Sequence, residues 1–113
     1  MQTFDIFLDK PRKLCYNNRA LYMMEKELGE PVMLIFQDQN KLSSIRVMSI
    51  LIWAGLLKEE KLTLDEVIDL IPVEKLKENL LIVVKALGVS LGVEEKTINK
   101  EMGKLEKKTK TKA

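Results

Sequence analysis

At 113 residues the chain has the length of one domain, enough to bury a core without disulfides or a structural metal. Its single cysteine cannot close an internal disulfide, and histidine is absent, which argues against a secreted disulfide scaffold and removes the commonest general base. The net charge of +2 is uneven: residues 1–92 carry 12 basic and 13 acidic side chains, residues 93–113 seven and four, so a nearly neutral body precedes a basic end. A dedicated nucleic-acid surface on the body is not expected from that balance.

The start, Met1 to Asp5, lacks the basic and apolar regions of a signal peptide. The longest apolar run, Ile50 to Leu57, is far below the ~20 residues that span a bilayer. A soluble, cytoplasmic protein without membrane contact is the expectation. Near the N-terminus Phe4, Ile6 and Leu8 alternate with Asp5, Phe7 and Asp9, the period of two that marks a strand. Asp9-Lys10-Pro11-Arg12 supplies a turn, and Lys13 to Tyr16 can return as the second strand of a hairpin. Two strands alone are marginal, so the hairpin must lie on helices.

The first helix is predicted to start at Asn17 or Asn18, both good caps, and to stop before Gly29, with Leu21, Met24 and Leu28 facing inward. Pro31 to Phe36 reads as a strand or an ordered loop, and Gln37 to Leu42 as a polar connection. Ser43 or Ser44 caps the second helix, which runs to about Leu57 and is apolar on nearly every side. At 100° per residue, Ile45, Met48, Ile52 and Leu56 form one stripe, assigned to the core. Ile50, Trp53 and Leu57 form another, about 120° away, assigned to partner contact.

Thr63 and Glu66 have the spacing of a capping box at the start of the third helix, whose inward residues are Leu64, Val67, Ile68 and Ile71. Pro72 divides it from the fourth helix. There Val73, Leu76, Leu80, Val83, Val84 and Leu87 make a stripe, and Gly88 is the predicted stop. Leu81 and Ile82 fall off that stripe and join the candidate partner-binding residues. Residues 94–106 read as a short, weak helix before a Lys-rich end with too little apolar surface to offset its ordering entropy.

Catalytic patterns are missing. Cys15 has no histidine to activate it, and neither a Gly-rich phosphate loop nor a paired-cysteine metal spacing occurs. Asp38-Gln39-Asn40 starts like a calcium loop, but Ser43 stands at the sixth position and Ser49 at the twelfth. No catalytic, cofactor or metal site is assigned, and no enzymatic activity is expected. The helix–turn–helix outline from Ser44 to Ile71 raises a small DNA-binding regulator as an alternative. Its second helix carries Asp65, Glu66 and Asp69 outward, where a groove-reading helix needs Arg, Lys, Asn or Gln.

The order Tyr16-Asn17-Asn18, Ala20-Leu21, Glu25, Glu27-Leu28-Gly29-Glu30-Pro31, then Trp53-Ala54-Gly55-Leu56, Leu62-Thr63-Leu64-Asp65-Glu66-Val67 and Leu70-Ile71 resembles tail assembly chaperones of long-tailed bacteriophages, in the branch that includes gene-transfer-agent tail proteins. The likeness spans roughly residues 3–90. It implies a protein that binds the tape-measure protein and keeps it soluble during tail morphogenesis in the bacterial cytoplasm, with the tail-tube protein as a second partner and self-association as a further expectation. It transfers no sharp set of site residues. A generic helical adaptor is the remaining alternative.

The resulting expectation is a mainly helical α+β domain over residues 1–92, with an N-terminal β-hairpin packed on about four helices, and a flexible basic tail over 93–113. In the resembled family some genes yield a second, longer product by ribosomal frameshifting, and Lys107-Lys108 can be encoded by an adenine-rich slippery stretch. Sequencing the gene across Glu106 to Lys110 tests this: a slippery heptamer with an overlapping frame is expected, and its absence removes the idea.

Overall fold

The computed structural model describes residues 2–110, with side chains through residue 106. Its order is β1 (Phe4–Phe7), β2 (Pro11–Leu14), α1 (Asn18–Leu28), α2 (Val32–Gln37), α3 (Gln39–Leu42), α4 (Ile45–Leu56), α5 (Leu64–Leu70), a 3-10 turn (Val73–Lys75), α6 (Leu76–Ser90) and α7 (Glu95–Lys110). The protein is mainly helical with an N-terminal antiparallel hairpin, as its sequence patterns predict. Among the described residues no helix is long and apolar enough to cross a membrane.

In the hairpin Phe4 pairs with Leu14 and Phe7 with Pro11, a register that turns Ile6 inward and leaves Asp5 and Phe7 outside. The second strand begins at Pro11, two residues earlier than predicted. Arg12 is buried; its guanidinium donates to Asp9 across the turn and also pairs with Glu60, far along the chain. The hairpin is thereby fixed against the loop that follows α4.

The caps fall where their side chains allow. Asn17 Oδ1 accepts from Ala20 N–H at 2.8 Å, and α1 ends at Gly29 with φ of 73°. Ser44 caps α4, and the Thr63–Glu66 capping box is complete in both directions. Pro31 to Phe36 is helical instead of extended: Pro31 stands at the N-cap, where a missing N–H costs nothing, and Val32, Ile35 and Phe36 fall on one buried face. The polar connection contains α3, because the Asp38 side chain accepts from Asn40 N–H and Lys41 N–H. The stretch that resembles the start of a calcium loop thus caps a helix, and its Gln39 side chain donates to Glu101 of α7 at 3.1 Å.

Helix α4 is the axis of the fold, packed by α1, β2, α3, α5 and α6. Every residue from Val47 to Leu56 is buried, including both apolar stripes. Each larger side chain so placed contributes about 1.5–3 kcal/mol relative to exposure, an upper estimate for a chain whose unfolded state is itself partly compact. Where the hairpin crosses it, Gly55 makes the approach possible. A Cβ there would lie 2.7 Å from Leu14 Cδ2 and 3.1 Å from the Tyr16 ring.

Gly88 does not end α6, which continues to Ser90; the left-handed position is Gly92, with φ of 77°. Gly88 is instead a contact point. A Cβ at Gly88 would meet Ile98 Cγ1 at 2.7 Å and Phe36 Cζ at 3.2 Å. Ile98 and Leu105 of α7 are buried in the same core as α4, so packed chain continues past the boundary expected at residue 92. The physical reason is a sparse apolar stripe on α7 that a glycine-lined slot on α6 receives. Of the lysines on which the expectation of a solvated tail rests, Lys104 lies 3.8 Å from Glu101 on α7, and the side chains of Lys107, Lys108, Lys110 and Lys112 lie outside the described residues.

Two tests follow from this packing. Ile98→Ala should lower stability by roughly 2–5 kcal/mol in urea unfolding, whereas a dangling tail would register almost nothing. The second concerns Glu66, whose carboxyl is held below the usual range by the backbone N–H of Thr63 and then by the Thr63 hydroxyl. A lowered folded-state value stabilises the protein above the unfolded glutamate range and loses that effect as pH falls through the lowered value. The urea midpoint of Glu66→Gln should therefore vary less across that acid range than the wild type's.

Candidate functional site

Ile50 and Trp53, expected to face a partner, lie inside the subunit at 3% and 8% exposure. Trp53 also spends its one donor internally, with Nε1 donating to the Leu62 carbonyl at 2.9 Å. Both pack in the core, because α4 is enveloped by neighbours; Trp53 is thereby corrected from a partner contact, while the edge of Ile50 still reaches a groove between α4 and α5. Leu57, Leu81 and Ile82 are half-buried against the core and do not converge with the other two on one surface. Ile82 lines an open hollow of about 470 Å³ beside the hairpin, with Phe7, Pro11 and Lys13. The Phe7 ring there carries the Lys75 ammonium 4.9 Å from its centroid.

Ile45 and Ile68, expected in the core, are 53% and 45% exposed. Each departure has a local cause. Ile45 is the first residue of α4, and a helical side chain leans back toward the N-terminus, here beyond the last packed turn. Ile68 lies on the outer margin of the narrow apolar face of α5, of which Val67 is the buried residue and Leu64 half-buried. Asp65 continues that surface into an acidic flank.

These two isoleucines face one open groove of about 300 Å³ between α4 and α5, lined also by Leu64, Ile50, Ser49, Arg46 and Glu27. Two polar groups of its lining bond to the chain itself. Ser49 Oγ donates to the Ile45 carbonyl at 2.7 Å, and Arg46 Nη2 donates to the Glu27 carbonyl at 3.3 Å. What remains presented is the isoleucine and leucine surface, with the Glu27 carboxylate at its α1 edge. The sequence signal for this site is Leu64-Asp65-Glu66-Val67-Ile68-Asp69, where Asp65 and Asp69 both fall about 60–100° to one side of Ile68 on the helical wheel and Leu64 and Val67 to the other.

The groups that sequence alone leaves as isolated chemistry are structural in position. Cys15 is buried, and its backbone N–H donates to the Gly55 carbonyl at 2.8 Å. Tyr16 is buried with its O–H donating to the Leu51 carbonyl at 2.9 Å, and burial pushes its pKa far above the ordinary phenol value. Among the described residues no group of three or more His, Cys, Asp or Glu side chains is placed to hold a metal ion. The geometry therefore offers apolar contact surfaces: the α4–α5 groove, the hollow beside Phe7, and Met33 and Leu34 on the outside of α2. No family model, curated protein or solved structure matches this chain.

Proposed function

We propose that the chain is a tail assembly chaperone of the long-tailed bacteriophage kind, a non-enzymatic protein of the host bacterial cytoplasm that binds the tape-measure protein and keeps it soluble while the tail tube assembles. The ordered pattern from Tyr16 to Ile71 supports this reading of the family. The observation that carries the contact function is the exposure of Ile45 and Ile68 on either side of one groove, in a chain that otherwise encloses its apolar helix α4. Two exposed isoleucines lining one groove give an apolar patch that a partner can cover.

A long helical partner with apolar stripes matches such a surface, since an amphipathic helix docks by placing side chains at i, i+3 and i+4 into a hydrophobic groove. The tail-tube protein is a second partner on this reading, and self-association through the Phe7 or Met33–Leu34 surface is compatible with it. Genes for the tail-tube and tape-measure proteins are expected beside this one. Co-expression supplies the biochemical test: the tape-measure protein should move from the insoluble to the soluble fraction and co-purify with this chain. Equal insolubility with and without it would refute the reading.

A further inference from the structure

The geometry points to the α4–α5 groove as the seat of a partner helix whose apolar stripe is flanked by lysine or arginine. The assignment rests on the reading of this chain as a contact protein, and it adds the place of contact and the charge that the partner must carry.

The guest must be apolar where it enters. Ile45 and Ile68 form the two sides, Leu64 and Ile50 lie between them, and the Ser49 hydroxyl and Arg46 guanidinium are engaged with carbonyls of this chain. Aliphatic side chains would cover the two isoleucines, which a polar small molecule would leave in water.

The surroundings select the charge. Glu27 lines the groove, and Asp65 and Asp69 extend the exposed face of α5 on the far side of Ile68. Among the described residues none of these three carboxylates is in an ion pair. Asp65 has a local reason to be acidic, because it stands in the first turn of α5, where the helix dipole favours negative charge. Asp69 has the opposite situation. It sits next to the last residue of α5, where the dipole disfavours a carboxylate and no basic residue offsets it. A placement that works against its own helix is accounted for by a cation arriving from outside. Arg46 is the basic residue of the lining and is held at the Glu27 carbonyl, at the α1 edge of the groove, so the α5 flank stays acidic.

A pair of labelled synthetic helical peptides tests this, both with leucine at i, i+3, i+4 and i+7, one with lysine and one with glutamate at the flanking positions. Fluorescence anisotropy with the full chain should show the lysine peptide bound about tenfold or more tightly than the glutamate peptide, with the preference shrinking at high salt. Ile45→Ser combined with Ile68→Ser, both at exposed positions, should weaken lysine-peptide binding by about tenfold or more. Asp65→Asn with Asp69→Asn should leave binding in place and reduce the preference to about threefold or less. Equal binding of the two peptides overturns the inference, as does wild-type behaviour of either double variant. A wild-type dimer that Ile68→Glu dissociates would give the groove to a second copy and also overturn it. Because no tape-measure protein is used, the result stands apart from the co-expression test.

Discussion

Three links tie the hairpin to the C-terminal half of α4, and each depends on the absence of a side chain at Gly55. The Cys15 N–H reaches the Gly55 carbonyl, the Tyr16 hydroxyl reaches the Leu51 carbonyl, and Leu14 packs where a Cβ would stand. Farther out, Arg12 joins Asp9 and Glu60, so the tip of the hairpin and the loop leading to α5 are held in one place. An apolar helix with no polar face survives in water only if it is sheathed all round. The hairpin supplies that cover at one end, α1 along one side, α5 and α6 along the others. The location of the α4–α5 groove follows from this arrangement, since the cover is complete everywhere except at the first turn of α4.

Local chemistry was legible wherever a side chain acts on its own backbone. Asn17, Ser44 and Thr63 cap helices, Pro72 separates two, and alternation marks the first strand, because each effect is decided within four residues. The errors occur where a second element decides. Gly88 has the form of a helix stop, but the space beside it is filled by Ile98 from α7, which no window around Gly88 contains. Pro31 to Phe36 is a short apolar run whose period cannot separate strand from helix, and its buried face is chosen by neighbours.

The same distinction explains the candidate site. Angular bookkeeping on α4 separates two stripes correctly but cannot say which has company. Trp53 falls by angle on the stripe assigned to partner contact; its Nε1 instead finds the Leu62 carbonyl, a partner nine residues away in the chain. Ile45 belongs to the core stripe by angle and escapes it by height, one turn above the packed region. Ile68 is apolar at the edge of an acidic surface, and only the position of α5 against α4 shows that edge to be half of a groove.

The slot over Gly88 also makes the turn between α6 and α7 a sensitive place to cut. Ile98 and Leu105, seven positions apart, are the buried anchors of α7. That helix is joined to α6 only through the short turn at residues 91–94. Ile98 and Phe36 both crowd Gly88, so a proteolytic cut in that turn would leave α7 held by noncovalent contacts alone, and its departure would bare the α6 slot to water.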